Sequence, residues 1–320
     1  MGNSEMKIYE YAPGCILPGG AVIALGLFDG LHEGHRSLLK RAKEIAKSRG
    51  LTFEVFTFRT ETLRKGGGAL YPTEEKLNLM KDLGVEAVIL SDFNEISSVS
   101  AEDFAKKLLN TEMGCEVAVC GFDFRFGKGA LGDAALLKKL MEECGKECAV
   151  ESEHKIDGEK ISTTKIKELL GKGDVIRARE FLGVPFFISA EVEHGRGEGR
   201  ALGFPTVNLY SDGLSLLKKG VYRCAVSIEG VLFSGITNVG TCPTFPEREL
   251  HAEVNIIDFD GDLYGKNLRV FFLDFLREEH RFTNKESLIL QINVDKNRVI
   301  KENGDITWQA IGLKSPQPET

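Results

Sequence analysis

The apolar pattern of the 320-residue chain changes once, near Gly183. Before that residue, apolar runs of strand length alternate with stretches whose apolar residues recur at helical spacing. The run AVIALGLF, for example, precedes HRSLLKRAKEIAKSRG, in which Leu38, Leu39 and Ala42 share one helical face. After Gly183, short strand-like runs follow one another, separated by Gly, Pro and Asp. This change predicts two domains of different fold class.

The two halves lead to a specific fold prediction. Residues 1–183 are expected to form an α/β domain with a doubly wound parallel sheet, because strand and helix patterns alternate there. Residues 184–310 are expected to form an all-β domain, a small closed barrel followed by a C-terminal helix. The tail, residues 311–320, is expected to be disordered.

Local signals predict where some elements begin and end. Gly50 predicts the end of the first helix, and Thr73 is the candidate cap of the second. The pairs Glu229–Gly230 and Asp260–Gly261 predict hairpin turns, because Gly tolerates the left-handed conformations that such turns need.

Charge and composition restrict the class of partner. The net charge of −7 argues against binding nucleic acid or an anionic membrane through bulk charge. No stretch reaches the ~18 apolar residues of a membrane span. The N-terminal residues lack a signal-peptide layout and the seven cysteines form no CxxC pair, so a cytoplasmic location is expected. The expected partners are small molecules, with no nucleic acid and no membrane, and a monomer is compatible with the sequence.

The segment GLFDGLHEGHR, residues 26–36, lies between the first predicted strand and the first predicted helix. In an open parallel sheet, ligands bind beyond the carboxyl ends of the strands, and a helix N-terminus attracts anions. The glycines fit neither a dinucleotide-binding pattern nor a P-loop. His32 and His35 could donate hydrogen bonds to phosphate oxygens, but they could also be ordinary loop residues or two ligands of a metal ion.

Two later segments are expected at the same edge of the sheet. GFDFRFGKGALGD, residues 121–133, combines glycines with cations, and ISTTKIKELL, residues 161–170, opens a helix with two threonines. A flexible turn, an ordinary helix cap and a solvated lysine face are the plainer interpretations. Three such segments at one sheet edge favour a nucleotide phosphate site.

These three segments, in this order and spacing, resemble the adenylyltransferase module of the prokaryotic bifunctional riboflavin kinase/FAD synthetases. Their HxGH signature is similar to that of the wider nucleotidylyltransferase superfamily. The resemblance implies that the FMN phosphate attacks the α-phosphorus of ATP, with Mg²⁺, releasing pyrophosphate and forming FAD. It implies that His32 and His35 hold the ATP phosphates. The other nucleotide-binding residues that it implies are Gly26, Phe28, Asp29, Gly121, Asp123, Arg125, Gly127, Thr163, Thr164 and Lys167.

The chain departs from this family pattern at two places. Lys167 stands where the family usually has arginine, which replaces a bidentate fork with a point charge. After the second predicted strand, TFRTETLRKGG has neither the prolines nor the histidine of the usual TFxPHP-like stretch. Two alternatives therefore stay open, namely a riboflavin kinase with a degenerate adenylyltransferase module and a non-catalytic flavin-binding regulator.

The segment GRALGFPTVNL, residues 199–209, places Thr206 and Asn208 on the same face of an extended chain. Their hydroxyl and amide oxygens suit Mg²⁺, which shares its coordination sphere with substrate phosphates. From the spacing alone, a Gly-Pro turn followed by a polar strand face is an equally good interpretation. Glu253, in HAEVNIIDF, could be a general base or simply a solvent-facing residue.

The second half resembles the riboflavin kinase module of the same family, a six-stranded barrel with a C-terminal helix. The similarity lies in EHGRGEGRALGFPTVNL, GVYRCAV, NVGTCPTF, AEVNIIDF, DLYGKNLRVFFLDFLREEHRF and QINVDK. It implies that Thr206 and Asn208 bind Mg²⁺ and the ATP phosphates. It implies that Glu253 takes the proton from the riboflavin 5′-hydroxyl as ATP phosphorylates it to FMN. The further ATP- and flavin-binding residues that it implies are Gly203 and Pro205, and Asn238 and Arg277, respectively.

Overall fold

Two compact units, residues 1–163 and 164–320, make up the chain. The computed structural model describes residues 5–63, 68–195, 199, 203–241, 250–302 and 306–313. The predicted fold class is confirmed, because the first unit contains a parallel sheet and the second a closed antiparallel barrel. The units divide at Thr163/Thr164, and the domain boundary at 183/184 stays a prediction.

The first unit is built on a six-stranded sheet. The strands of this unit are Lys7–Glu10 (β1), Ala21–Leu25 (β2), Thr52–Phe58 (β3), Ala87–Ser91 (β4), Cys115–Gly121 (β5), Arg125–Phe126 (β6), Gly132–Asp133 (β7), Glu147–Glu151 (β8), Lys155–Ile156 (β9) and Glu159–Lys160 (β10). The sheet order is β1-β4-β3-β2-β5-β8, with every neighbouring pair parallel. β2 and β4 are buried at every residue, as expected for central strands covered on both faces.

Helices cover the faces of this sheet. They are Glu33–Arg49 (α1), Thr73–Asp82 (α2), Phe93–Ile96 (α3), Ala101–Asp103 (α4), which continues as a π-helix over Phe104–Glu112, and Ala134–Glu143 (α5). Short 3₁₀ turns lie at Asp29–Leu31, Thr60–Thr62 and Lys128–Ala130.

The helix ends can be traced to individual residues. α1 buries Leu38, Leu39 and Ala42, and Gly50 closes it in the left-handed conformation with φ 65°, as predicted. The prediction that Thr73 caps α2 is wrong, because Pro72 is the N-cap and Thr73 is the first helical residue. The Thr73 side chain is instead bonded to the chain that follows β3.

The second unit is a closed barrel with helices against it. Its strands are Phe187–Glu193 (β11), Thr206–Leu209 (β12), Gly220–Ile228 (β13), Val231–Gly240 (β14), His251–Ile256 (β15) and Asn267–Arg277 (β16). The barrel order is β11-β12-β15-β14-β13-β16, closed by the antiparallel pair of β16 with β11. The helices are Thr163–Lys172 (α6), whose first residue belongs to the first unit, Val175–Leu182 (α7) and Lys285–Glu302 (α8).

One predicted hairpin is confirmed and the other is wrong. Glu229 and Gly230 have φ of 48° and 81° and join the antiparallel neighbours β13 and β14. Asp260–Gly261 lies between β15 and β16, which are not neighbours in the barrel. The chain between β15 and β16 therefore connects separated strands, and its left-handed residues are Asp258, with φ 56°, and Gly265, with φ 73°.

The C-terminal helix packs against the barrel, as predicted. Val299 of α8 is fully buried, in a cluster with Val221 and Ile236 of the barrel. Beyond α8, Ile311 is 3% exposed and residues 314–320 lie outside the described part of the chain. The predicted disorder of the tail stays a prediction.

Candidate active sites

The first candidate site is the N-terminus of α1, directly after β2. His32 is the N-cap of α1, and its Nδ1 accepts a hydrogen bond from the backbone N–H of His35 at 3.3 Å. The two imidazoles are stacked, with ring centroids 3.6 Å apart. Phe28, in the left-handed region at φ 50°, packs the edge of its ring against His35. The HEGH segment thus forms one rigid cluster at the carboxyl end of the central strands.

Burial keeps both histidines neutral near pH 7. It lowers the pKa of His32 to about 4, and it holds the pKa of His35 well below its ordinary value, with His32 and Lys76 adding repulsion. The Nδ1 atom of His35 is buried and has no hydrogen-bond partner within the described residues. A neutral imidazole carries one N–H that can donate to an anionic oxygen. The helix N-terminus beside it adds unpaired backbone N–H groups.

A buried lysine stands beside this cluster, and the sequence analysis did not identify it. Lys76 of α2 is 1% exposed, and its Nζ donates to Thr57 Oγ1 at 3.2 Å and to the carbonyl oxygen of Phe58. Burial lowers the pKa of Lys76 to about 8, against the opposing effect of Asp29 and Glu61. Its position in the TEEKLNLM helix pattern gave no signal, because an isolated lysine on a helix is ordinarily solvated.

Several other predicted nucleotide-binding residues of the first unit already contact other residues of that unit. Thr163 Oγ1 donates to the backbone carbonyl of Asp29 at 3.2 Å, within the first unit. Asp123 accepts from Lys160 Nζ at 2.9 Å. A Cβ on Gly127 would lie 2.7 Å from the backbone of Ala101, so its packing alone requires glycine.

The other predicted residues of the first unit include Gly26, Gly121 and Arg125. A Cβ on Gly26 would meet the Phe28 ring at 3.1 Å, so this glycine lets the ring fold back. Gly121 ends β5, and Arg125 Nη1 lies 4.0 Å from Asp133 Oδ2. Thr164 and Lys167 are on α6, in the second unit, where Thr164 is exposed.

The second candidate site is a row of polar residues across the barrel. Asn208 of β12 is the direct cross-strand partner of Glu253 of β15, which in turn faces Asn238 of β14. On the other side, Asn208 pairs with Glu193 of β11. Such partners have Cα atoms about 4.5–5.5 Å apart and project from the same face of the sheet. Thr206 lies on this face two residues before Asn208.

Glycines of the preceding loop lie against this row. A Cβ on Gly195 would be 2.0 Å from the Asn208 amide nitrogen, and one on Gly199 would be 2.9 Å from Thr206 Oγ1. The Gly203–Pro205 segment is fixed by Gly203, at φ 85°, and by the Pro205 carbonyl, which accepts from Asn255 Nδ2 at 2.8 Å. The backbone therefore approaches the two candidate ligands closely.

The donor chemistry of this row fits Mg²⁺. Thr206, Asn208 and Glu253 offer hydroxyl, amide and carboxylate oxygens, which are the hard ligands that this ion prefers. Glu253 is about half exposed, so a ligand can reach it. Among the described residues, no group of three or more His, Cys, Asp or Glu side chains is placed to hold a metal ion.

Comparison with known proteins matches both halves of the chain. A family model described as FAD synthetase matches residues 17–165, and one described as riboflavin kinase matches residues 182–302. The bifunctional riboflavin kinase/FMN adenylyltransferase of Bacillus subtilis (strain 168) is 33% identical over 293 residues, covering 88% of this chain and 92% of the relative. The protein of the same name from Escherichia coli (strain K12) is 34% identical over 286 residues, covering 87% and 91%.

The chain belongs to the bifunctional riboflavin kinase/FMN adenylyltransferase family. Among solved structures, a macrolide-efflux protein from Streptococcus pneumoniae superposes with a TM-score of 0.83 and 28% identity, covering 93% of this chain and all of that one. Within the described residues, no helix is both long and apolar enough to cross a membrane.

The departures from the riboflavin kinase/FMN adenylyltransferase pattern have a structural counterpart. Glu61 stands in the TFxPHP-like stretch and accepts from the Thr73 backbone N–H at 3.1 Å and from Thr73 Oγ1 at 2.6 Å. Burial of Glu61 opposes its ionisation, but these hydrogen bonds together lower its pKa to about 2. The segment is thus held by a polar network to the start of α2, in place of prolines.

Both implied flavin-binding residues already have partners within the barrel unit. Arg277 donates from Nε and Nη2 to Asp295 of α8, at 3.0 and 2.8 Å to Oδ2, and both side chains are largely buried. Asn238 Nδ2 donates to Glu279 Oε1 at 3.1 Å. Arg277 therefore links β16 to the C-terminal helix, a contact that sequence reasoning missed because the pair is 18 residues apart.

Proposed function

We propose that this chain phosphorylates riboflavin to FMN in the barrel and adenylylates FMN to FAD in the α/β unit, using ATP in both reactions. The observation that carries the proposal is the cross-strand row, in which Asn208 directly faces Glu253. A carboxylate beside hard oxygen donors is what transfer of a phosphoryl group to an alcohol requires. Membership of the family supports the pairing of the two reactions.

In the barrel, Thr206 and Asn208 would hold Mg²⁺ together with the ATP phosphates. The ion would supply charge neutralisation at the transferring phosphoryl group. Glu253 would orient the riboflavin 5′-hydroxyl and accept its proton as the oxygen bonds to the γ-phosphorus and the bond from that phosphorus to the ADP oxygen breaks. Loss of such a base costs roughly 10²–10⁴ in rate. Gly203 and Pro205 would shape the backbone beneath the nucleotide, and Asn238 and Arg277 would lie on the flavin side.

In the α/β unit, the N-terminus of α1 would bind the ATP phosphates. His32 and His35 would donate N–H groups to oxygens whose charge increases as the FMN phosphate attacks the α-phosphorus and pyrophosphate leaves. Their neutral state before binding favours this role, because a buried cationic pair would carry a desolvation cost. Further phosphate contacts in this unit would come from Gly121, Asp123, Arg125, Gly127 and Thr163. The phosphate-binding roles of Thr164 and Lys167, which are on α6 in the second unit, stay predictions.

A second candidate function is riboflavin kinase activity alone. The observations that favour it are Glu61, which bonds to Thr73 where the family usually has histidine, and Lys167 in place of arginine. Incubating the protein with FMN, ATP and Mg²⁺ separates the two functions, because only the bifunctional enzyme produces FAD and pyrophosphate.

The division of labour is tested with one variant in each unit. We expect Glu253→Gln to abolish FMN formation from riboflavin and to leave FAD formation from supplied FMN unchanged. We expect His32→Asn to do the reverse. Products are resolved by chromatography, and circular dichroism verifies that each variant is folded. Equal damage to both activities in a folded variant would overturn the assignment of one reaction to each unit.

The wider setting is part of the same proposal. ATP is the co-substrate, Mg²⁺ the metal, and riboflavin, FMN and FAD the substrates and products. The partners are small molecules rather than nucleic acid, a monomer suffices for both reactions, and the cytoplasm, which supplies ATP, is the compartment. The functional domains are taken to be residues 1–183 and 184–310.

A further inference from the structure

Lys76 is a buried cation that has no part in the proposed mechanism so far. It lies near the start of α2, and its side chain is 1% exposed. Its Nζ donates to Thr57 Oγ1 at 3.2 Å and to the backbone carbonyl oxygen of Phe58, both at the carboxyl end of β3. Thr57 Oγ1 in turn donates to the backbone carbonyl oxygen of Leu27 at 3.0 Å. A chain of hydrogen bonds therefore joins Lys76 to the loop that leads into the HEGH segment.

The surroundings of Lys76 place its charge behind the predicted phosphate site. α2 packs against the 3₁₀ turn Asp29–Leu31, just before α1. Lys76 is close enough to His35 to help hold the pKa of that imidazole well below its ordinary value. The titratable groups that act on Lys76 in the described chain are Asp29, before α1, Glu61, after β3, and His35 of α1. Lys76 therefore lies on the inner side of the helix N-terminus that is proposed to bind phosphate.

The ammonium group of Lys76 has no counter-ion in direct contact among the residues that the structure describes. Its two hydrogen-bond acceptors there are a hydroxyl and a carbonyl oxygen, and both are uncharged. Burying a charge is costly unless it is paired. Burial accordingly lowers the pKa of Lys76 to about 8, against the attraction of Asp29 and Glu61. An anion bound at the N-terminus of α1 would offset this cost, so the position of Lys76 favours an anionic ligand.

We propose that Lys76 is a positioning residue of the adenylyltransferase site, whose buried charge attracts the ATP triphosphate and stabilises the pyrophosphate that leaves. This inference rests on the proposed adenylyltransferase function. Because the side chain is buried, Lys76 acts through its electric field and through the Thr57 hydroxyl, which fixes the Leu27 carbonyl, rather than by touching ATP.

The transfer step shows why a fixed cation helps. A phosphate oxygen of FMN bonds to the α-phosphorus of ATP. The bond from that phosphorus to the oxygen bridging to the β-phosphate breaks, and its electron pair stays on pyrophosphate. Negative charge on the pyrophosphate portion therefore increases during the step, and no proton has to be transferred. A positive charge already in place stabilises this increase without reorganisation.

A purely structural role for Lys76 makes a different prediction, because it does not need the charge. A neutral amine keeps two N–H groups, which are enough for Thr57 and Phe58. Deprotonation of Lys76 would then leave activity unchanged. If the charge acts on ATP, activity is lost as the pH rises through the pKa of Lys76. The ratio kcat/KM for ATP reports the free enzyme, so its alkaline limb is expected near pH 8.

The kinetic experiment compares the wild-type protein with Lys76→Met, Lys76→Arg and Lys81→Met, the last on an exposed lysine of the same helix. We expect Lys76→Met to lower kcat/KM for ATP in FAD formation about 10-fold at about pH 7, with the KM for FMN within about two-fold. Lys81→Met should match the wild-type protein. Lys76→Arg keeps a charge that does not titrate, so it should retain more activity than Lys76→Met and lack the alkaline limb.

Two controls make this profile decisive. FMN formation from riboflavin, measured in the same proteins over the same pH range, reports effects that are common to all reactions of ATP. Circular dichroism verifies that each variant is folded. A wild-type kcat/KM for ATP that stays constant through pH 8, or an alkaline limb that persists in a folded Lys76→Met or Lys76→Arg protein, would overturn the proposal.

A second measurement does not depend on turnover. Calorimetric titration with inorganic pyrophosphate at about pH 8.5, in two buffers of different ionisation enthalpy, gives the number of protons taken up on binding. An anion near Lys76 raises the pKa of the amine, so the wild-type protein should take up a fraction of a proton more than Lys76→Met. Equal uptake, or no binding by the wild-type protein, would overturn the proposal. If the wild-type protein formed no FAD from FMN, the proposed adenylyltransferase function would fail, and the calorimetry would still decide whether Lys76 acts on a bound anion.

Discussion

At the residue scale, His32 and His35 of the HEGH segment have structural roles as well as their predicted role in phosphate binding. His32 caps α1 and stacks on His35, and burial removes the charge of both rings. The segment therefore places two neutral imidazoles at a helix N-terminus, beside the ammonium group of Lys76.

The depressed pKa of His32 predicts a pH-dependent stability. The unfolded chain binds a proton near pH 6.5, whereas the folded chain resists it until about pH 4. Stability is thus intact above pH 6.5 and is lost as the pH falls from 6.5 towards 4, by on the order of 3 kcal/mol. His32→Asn retains a capping oxygen but does not titrate, so we expect its stability to fall less over this window.

Urea unfolding followed by circular dichroism at several pH values measures that difference. His280→Gln, on an exposed residue, is the control and should follow the wild-type curve. Parallel curves for the wild-type protein and His32→Asn between pH 6.5 and 4 would contradict the account of a buried neutral imidazole.

Residue-level prediction from sequence succeeded where spacing along one element was enough. The period of an extended chain puts Thr206 and Asn208 on one face, and the structure has them there. Lys76 could not be found this way, because its partners, the Thr57 hydroxyl and the Phe58 carbonyl oxygen, come from β3. Such contacts depend on register, which a single sequence does not specify.

At the element scale, the barrel site is a consequence of strand order. β15 lies between β12 and β14, so one register aligns Asn208, Glu253 and Asn238 in a single row. Of these strands, only β14 and β15 are consecutive in the sequence, whereas β12 pairs with β15 although β13 and β14 lie between them in the chain. The same fact explains the failed hairpin at Asp260–Gly261, whose turn-like residues join strands that are not neighbours.

The loop between β11 and β12 lies so close to Asn208 that adding one methyl group at Gly195 is expected to lower kinase activity. Gly195→Ala puts a Cβ 2.0 Å from the Asn208 amide nitrogen, so the amide must turn away. We expect kcat/KM for ATP in FMN formation to fall about 10-fold, because small displacements of a positioned ligand are costly. FAD formation from FMN should be unchanged.

Gly171→Ala is the matched control within the same unit. Gly171 is inside α6, and the nearest atom to an added Cβ there is the Leu216 carbonyl oxygen at 3.9 Å. We expect unchanged kinase activity and a stability gain of about 0.5–1 kcal/mol from helix propensity. Equal kinase activity in the two alanine variants would contradict the close contact at Asn208.

At the scale of the whole molecule, the chain is two units with different architectures. The change of apolar period near Gly183 was enough to predict a parallel α/β unit followed by a barrel, because periodicity reports burial on one or both faces. It did not locate the division of the compact units at Thr163/Thr164, because α6 and α7 continue the helical pattern of the first half. Their contacts with the barrel, such as the Lys218 N–H to the Leu170 carbonyl, are non-local.

The central claim, one reaction in each unit, is tested most directly by complementation between two damaged proteins. Neither Glu253→Gln nor His32→Asn alone should convert riboflavin, ATP and Mg²⁺ into FAD. An equimolar mixture should do so, because FMN released by the His32→Asn protein is the substrate of the intact adenylyltransferase in the Glu253→Gln protein. A mixture of two folded variants that forms no FAD while the wild-type protein does, or FAD formed by either variant alone, would contradict the account.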